Sequence, residues 1–504
     1  MNARLDPRSA DADTDAASAG LLDVVVVGAG ISGIGAAWHL ATQSPGTRFL
    51  VLESKDTFGG TWVTHRYPGI RSDSDLYTFG YRFKPWMGAP IATAEEILKY
   101  MGEVIDENGL GDRIRYGHAI ERASWSSATR RWTLDVRRLD TGERLSIETR
   151  FLWMCQGYYR HQAGYTPQWP GMEAFGGRIV HPQDWPEDFD ATGKRVVVIG
   201  SGATAATLVP ALAGHCAHVT MLQRSPTWFI TGRNANVLAD TLRELDLPPE
   251  WIHEIVRRKI LFDQKALQAR AFADPDSLAA DLLGNVRAQV GDAVDVDRHF
   301  TPRYRPWRQR IAFIPDADLF KAIRAGQASV VTDEIERFTP SGVLLKSGES
   351  LEADVIVTAT GFELSVLGDI PFEIDGRPLD FAATVGWRGA MFTGVPNLVW
   401  VFGYFRASWT LRVDLLGDLV CRLLAHMHAR GATVVTPALR PGEADMPLRP
   451  WVEPENFNPG YLARGGDLLP KQGDRGPWIH SQDYAFDKDD LPAADLDDGS
   501  LLYE

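Results

Sequence analysis

The chain has 504 residues, 44% of them hydrophobic and 23% charged, a soluble composition that can bury a large core over about three domains without disulfide help. Its 52 basic and 66 acidic residues leave a formal net charge of −14, which argues against nucleic-acid binding through a basic face. Cys155, Cys216 and Cys421 stand apart, with no CxxC pair and no metal-ligand spacing; this speaks against a disulfide framework or a metal site and for a reducing cytoplasm.

Residues 1–20 are rich in Asp, Ala and Ser and lack the apolar stretch of a signal peptide, so they read as a disordered tail. Val24 to Leu40 is mostly apolar but too short and too rich in glycine for stable membrane insertion. It reads instead as a buried strand, Val24–Val27, a glycine turn and a helix to about Thr42. A second strand, Phe49–Leu52, ends at Glu53. The pattern returns at Arg195–Ile199, followed by Gly200-Ser201-Gly202-Ala203-Thr204-Ala205, a helix to about Ala213, and a strand ending at Gln223-Arg224-Ser225. Between about 233 and 300 apolar residues recur at helical spacing in Leu242–Leu245, Trp251–Leu261 and Ser277–Val290, a helical insertion. Val330–Phe338, Gly342–Lys346 and Asp354–Thr358 read as strands, with Ser347-Gly348 turning a hairpin within Gly342–Glu352. Leu398–Phe402 reads as a strand and Leu411–His428 as a long helix. Beyond about 440 the richness in Pro, Gly and Asp predicts irregular structure wrapped over the surface. The fold class expected is α/β, with two Rossmann-like dinucleotide-binding domains and a helical insertion.

In the first motif Gly28 permits the tight turn, Gly30 lets backbone approach a pyrophosphate, and Gly33 allows close helix–strand packing. The helix N-terminus offers free N–H groups to phosphates, and Glu53 stands where a carboxylate can accept from ribose hydroxyls. A lone glycine motif is a weak signal; flanked by strand, helix and a correctly placed acid, it is a strong one. In the second motif, Gly200 and Gly202 keep their places and Ala205 takes the third. No acid ends the next strand; Arg224 stands there, suited to a 2′-phosphate. The second site therefore reads as an NADPH site, and the pair of folds implies one bound flavin and one shuttling nicotinamide. A disulfide reductase would need a cysteine pair, which the chain lacks, so O2 is the obvious electron acceptor. On this reading 21–160 with 365–504 binds FAD, 161–232 with 301–364 binds NADPH, and 233–300 is the insertion.

The stretch Phe175 to Pro186 matches FxGxxxHxxxWP in full, through Phe175, Gly177, His181, Trp185 and Pro186. Gly59-Gly60-Thr61-Trp62, Tyr67-Pro68-Gly69 and Asp73 match GGxWxxxxYPGxxxD, and Ala359-Thr360-Gly361 matches an ATG turn. On these motifs the chain, over about residues 20–480, resembles the class B flavoprotein monooxygenases, specifically the Baeyer–Villiger monooxygenases. Gly69 to Asp75, His181-Pro182-Gln183 and Leu469 to Gly473 are similar to the ethionamide-activating branch, which takes ketones and oxygenates sulfur in sulfides and thioamides. The resemblance implies FAD, NADPH and O2, with one oxygen inserted next to a ketone carbonyl. It implies Arg310 as the active-site arginine, Asp73 as the carboxylate that orients it, and Thr204, Arg224, Ser225, Thr360 and Gly361 among the cofactor-binding residues, with Gly60, Thr61, Trp62 and Tyr67 near the flavin. Asp75 competes with Asp73, and spacing does not separate them. The chain departs from the family at Gln309, where many members have a lysine for the 2′-phosphate; either Arg308 substitutes or the NADPH preference is weaker. For His181 and Trp185 a packed structural pair and a hinge that passes the nicotinamide between positions stand side by side. By analogy, the helix starting near Ser408 aims its N-terminus at the flavin. Two other readings stay open: a heteroatom monooxygenase that oxidises amines or sulfides but not ketones, and a redox sensor without turnover.

Overall fold

The structure, a computed structural model, describes residues 20–504; residues 1–19, most of the expected tail, lie outside the described residues. Two parallel-cored sheets organise the chain. The first has nine strands. At its centre Leu22–Val27 lies parallel to Phe49–Leu52 on one side and to Arg144–Met154 on the other. Leu398–Trp400 also pairs in parallel with that last strand. Val24, Val25 and Val26 are fully buried, as a β-branched run covered on both faces must be. The second sheet has five strands: Ala328–Thr332, His218–Gln223, Arg195–Ile199, Val355–Thr358 and Arg178–Val180, all parallel.

An antiparallel meander beyond the expected elements, His118–Ser126, Arg131–Arg138 and Arg144–Met154, extends the first sheet. Its strands alternate charged outward residues with Trp132, Leu134 and Val136 inside, a period-two pattern that could have been found. The expected strand Val330–Phe338 is two strands. Ala328–Thr332 belongs to the parallel sheet, and Ile335–Thr339 pairs with the hairpin of Gly342–Leu345 and Ser350–Glu352. Asp333 makes the break, its carboxylate accepting the N–H groups of Glu334 and Ser347.

The insertion folds as helices Val237–Glu244, Pro249–Ala273 and Pro275–Val290. Buried Arg257 fixes it in place, donating to the carbonyls of Tyr77, Thr78 and Gly80 at 3.1, 3.3 and 3.1 Å and facing Asp414 at 3.5 Å. The segment after 440 is less superficial than expected. It buries Trp451 and Trp478, and its last strand, Leu501–Tyr503, pairs with Val435–Pro437. Arg412 in the long helix Trp409–Arg430 pairs with Asp487 in complete burial, and the Tyr404 hydroxyl donates to the same carboxylate at 2.6 Å.

Two short strands carry the chain between the sheets. Tyr159–Gly164 leaves the first sheet for the second, Phe362–Leu364 makes the return, and the two pair antiparallel. Arg160 ties them, with Glu363 and Asp369 each at 2.7 Å. Among the described residues no helix is long and apolar enough to cross a membrane.

Candidate active site

The first glycine motif is packed at backbone distance. A Cβ on Gly33 would meet the Gly28 carbonyl oxygen at 1.7 Å, and one on Gly60 would meet the Gly30 Cα at 3.0 Å. Gly28 sits at φ +99°, a conformation glycine adopts freely. The helix Ile31–Gln43 begins at Gly30 with no side-chain cap, so its first N–H groups are free for a phosphate. Glu53 is buried, and its carboxylate pins the turn by accepting from the N–H of Ala29 at 2.7 Å and of Lys55 at 2.9 Å.

The second motif repeats this. A Cβ on Gly200 would lie 2.3 Å from the Ala359 carbonyl oxygen, whereas one on Gly202 would meet open space. Gly202 starts the helix Ala203–Leu212, again uncapped, and Ala205 is fully buried beneath it. Arg224 and Ser225 are exposed at the end of the next strand. Arg224 forms no ion pair among the described residues, so its guanidinium is available to a ligand's phosphate. Both glycine cradles thus fit a dinucleotide.

Between the motifs the structure brings Asp73 and Arg310 together. The Arg310 Nε–Asp73 Oδ2 distance is 2.7 Å, and Nη2 donates to Asp73 Oδ1 at 2.8 Å and to Ser74 Oγ at 3.2 Å. Burial alone would lower the arginine's pKa, but the adjacent carboxylate raises it above the ordinary value. Asp75 is engaged elsewhere, capping the helix Leu76–Phe79 through the Tyr77 N–H at 2.9 Å. A second bridge runs the opposite way: Arg71 donates to Asp318 at 2.5 Å. The loop at 71–73 therefore gives one cation to, and takes one from, the half of the chain that carries the second motif.

The side chains around Arg310 include two that motif reading missed. Tyr158 and Tyr461 interact with each other and with the arginine's field, their rings 5.6 Å apart. Tyr158 also stacks on Trp409 at 5.2 Å. The Trp409 indole N–H donates to Ser32 Oγ at 2.8 Å, joining the start of the long helix to the start of the first. That long helix has no side-chain cap, because Ser408 Oγ bonds Thr78 instead at 2.7 Å.

Other expected residues take places of their own. Thr61 Oγ1 lies 2.7 Å from the Tyr159 hydroxyl, and Trp62 packs edge-on to Phe79 at 5.7 Å. Tyr67 reaches the core of the second half rather than standing beside the first motif. It is buried there and its hydroxyl meets Thr204, while burial pushes its phenol up to about 12. Thr360 Oγ1 donates to the Tyr165 carbonyl at 2.6 Å, and Gly361 turns at φ +103°.

The fingerprint forms a packed frame around the strand Arg178–Val180. Gly177 leaves room for the Phe175 ring, which a Cβ would meet at 2.6 Å. Trp185 meets Phe189 edge-on at 5.2 Å. The His181 ring lies against Gly164 of the outgoing linker, whose Cβ would sit 1.8 Å from its Cε1. His181 Nδ1 accepts from the Gln183 N–H at 3.1 Å, and Gln183 donates to the Arg160 carbonyl at 2.6 Å. Burial lowers the His181 pKa, partly offset by the Gly361 carbonyl. His65 behind it falls to about 4 through burial and the neighbouring His161 and His181, so it is neutral.

Residues 26–87 match the family described as NAD(P)-binding Rossmann-like domain, and residues 91–238 match flavin-binding monooxygenase-like proteins. The chain is 45% identical over 484 residues to the FAD-containing monooxygenase EthA of Mycobacterium tuberculosis, covering 96% of this chain and 97% of that one. The chain belongs to the class B flavoprotein monooxygenases. Its likeness to EthA lies in the branch that the motifs indicate. Among solved structures it is similar to a steroid monooxygenase bound to NADP, at 27% identity and TM-score 0.68 over 83% of this chain and 88% of that one. A second is OTEMO in complex with FAD and NADP, at 23% and 0.67 over the same shares. The protein is a flavin-dependent monooxygenase, an oxidoreductase with FAD and NADP(H) as cofactors. Among the described residues no group of His, Cys, Asp or Glu could hold a metal ion.

Proposed function

We propose that this monooxygenase is of the Baeyer–Villiger kind, inserting one oxygen atom next to a ketone carbonyl to give an ester or lactone, and that it also oxygenates sulfides or thioamides. The observation that carries this reading is the Arg310 guanidinium, held through Nε and Nη2 by Asp73 and through the same Nη2 by Ser74, and bordered by Tyr158 and Tyr461. When bound, FAD reduced by NADPH supplies activated oxygen. The task of the chain is to keep a fixed positive charge where negative charge develops on the substrate oxygen. Such preorganised charge is worth most in a site that excludes water. Arginine suits this task because it holds its proton at any working pH. Asp73 orients the guanidinium and balances its charge.

Gly28, Gly30, Gly33 and Glu53, with Gly60, Thr61 and Trp62, hold FAD in this reading, on the domain formed by 21–160 and 365–504. Gly200, Gly202, Thr204, Ala205, Arg224 and Ser225 hold NADPH on 161–232 and 301–364, with Tyr67, Thr360 and Gly361 at the junction. The paired linkers, braced by His181, are the hinge. The helices of 233–300 cover the substrate side, and three free cysteines suit a cytoplasmic enzyme. The test supplies the holoenzyme with NADPH, O2 and either a methyl ketone or a thioether, then measures product mass alongside NADPH consumption. An ester from the ketone is expected. Sulfoxide without any ester would select the heteroatom reading.

A further inference from the structure

Arg305, Arg308 and Arg406 come together beside the active site with no carboxylate in ion-pair contact. Among the described residues none of the three forms an ion pair, although arginines elsewhere in the chain are mostly paired. The guanidinium carbons of Arg305 and Arg406 lie 4.2 and 5.0 Å from the centre of the Phe272 ring, on the insertion. Their polar contacts within the protein are to neutral carbonyls: Arg305 Nη1 to Pro306 at 3.2 Å and Nη2 to Glu455 at 3.4 Å, and Arg406 Nη2 to Asn456 at 3.3 Å. Arg406 Nε is buried with no acceptor. Burial and the neighbouring Arg305 pull the Arg406 pKa down to about 10, and burial with Arg308 lowers Arg305. Asp483 acts on Arg406 only through its field, without an ion-pair contact, and clustered, half-buried cations that no carboxylate touches are unfavourable unless an anion completes them.

Of the three, Arg406 lines a cleft of about 300 Å³, together with Phe405, Trp451, Asn456, Phe457 and His480, and Arg305 stands next to Arg406 across the Phe272 ring. The cleft's other charges are accounted for. Glu453 pairs with Arg449, Asp474 with Arg475, and Asp483 caps a helix while raising Arg406. Buried His480 is neutral, lowered to about 3 by burial and Arg412. Phe405 meets Tyr158 edge-on at 6.1 Å, and Tyr158 lies in the field of Arg310. The cleft therefore adjoins the reacting arginine with an apolar wall between the two cationic centres.

We infer that Arg406 and Arg305 form a carboxylate-binding subsite, and that the substrates include chains with a carboxylate at one end and the oxygenated group at the other. The planar fork of a guanidinium matches a carboxylate in two hydrogen bonds. The substrate class rests on the oxygenation reading above; the anion subsite does not.

The first arm titrates the FAD-loaded protein with decanoate by calorimetry, with methyl decanoate as the neutral control and NADP⁺ in parallel. Decanoate binds the wild-type protein, and Arg406→Gln and Arg305→Gln each weaken it about 10-fold or more, with partial recovery in Arg406→Lys. Decanoate binding that is absent, or unchanged in both glutamine variants, overturns the subsite. Weakening of NADP⁺ in step with decanoate would assign the arginines to the nucleotide and also overturn it. The second arm compares a methyl ketone bearing a terminal carboxylate with its methyl ester. The acid is preferred in kcat/KM, and the acid-to-ester ratio falls about 10-fold in Arg406→Gln. Ketone oxygenation without preference for the acid refutes the substrate class and leaves the oxygenation reading standing. Decanoate binding as expected with neither ketone oxygenated refutes that reading and leaves the subsite.

Discussion

Gly164→Ala should disable the fingerprint histidine from a position outside the fingerprint. The new methyl would sit 1.8, 2.3 and 2.4 Å from Cε1, Nε2 and Nδ1 of His181, against an ordinary carbon contact of about 3.5 to 4.0 Å. The ring must retreat by about 2 Å or leave its rotamer. Overpacking of this kind costs about 1 to 3 kcal/mol, and loss of the 3.1 Å bond from the Gln183 N–H adds about 1 kcal/mol. The destabilisation expected is about 2 to 4 kcal/mol, a fall in Tm of about 4 to 16 °C at roughly 2 to 4 °C per kcal/mol for a domain of this size. Tm is read from tryptophan fluorescence of the FAD-loaded protein, for Gly164→Ala, His181→Ala and the double variant. Removing the imidazole removes the collision, so the double variant should be no less stable than His181→Ala alone, a coupling of about 2 to 4 kcal/mol. Losses that simply add, or a Gly164→Ala protein as stable as wild type, would refute the contact and with it the linker brace.

Arg257→Ala leaves the buried Asp414 without its arginine and the Tyr77 and Gly80 carbonyls without a side-chain donor, while Thr78 keeps Thr410; a loss of about 3 to 5 kcal/mol is expected in denaturant unfolding. Arg224→Ala should raise KM for NADPH about 10- to 100-fold and leave KM for NADH little changed, because the role proposed for Arg224 is toward the 2′-phosphate alone; equal effects on both would remove Arg224 from that role. Buried His65 and His480, lowered to about 4 and about 3, set a pH dependence. Their folded values lie below the unfolded value of 6.5, so the unfolded chain takes up protons first as pH falls. The stability they contribute is complete above about 6.5 and is lost as pH drops towards 3 to 4. At pH 5 each accounts for about 2 kcal/mol of loss, and His480→Gln should flatten the fall in Tm between pH 7 and 5.

The parts of the site fixed by backbone geometry were legible in the sequence, since a glycine motif between strand and helix announces its own turn. Asp73 and Arg310 were named through family motifs, and the structure separates Asp73 from Asp75 by giving the latter a helix to cap. Contacts between distant segments left no such mark. Gly164 looks like any strand glycine until the His181 ring is laid on it, and Tyr158 and Tyr461 meet across 303 residues because one lies in the turn between the strand Arg144–Met154 and the outgoing linker and the other in the final segment. Arg71 was seen only as part of a motif, and its bridge to Asp318 has no sequence signature. The antiparallel meander is legible in its alternation, a weaker signal than the glycine motifs. The buried tryptophans after 440 leave no mark in the sequence because Pro, Gly and Asp dominate that stretch, and composition does not reveal which few side chains turn inward.

The most direct test of the account replaces Arg310 with Ala and measures oxygenated product formed per NADPH consumed, with FAD content and anaerobic bleaching by NADPH recorded on the same sample. The variant should keep its flavin and accept electrons, yet form ester at least about 100-fold more slowly, with the consumed NADPH appearing as hydrogen peroxide. Ester formation from a good ketone at the wild-type rate and coupling would contradict the role given to the guanidinium.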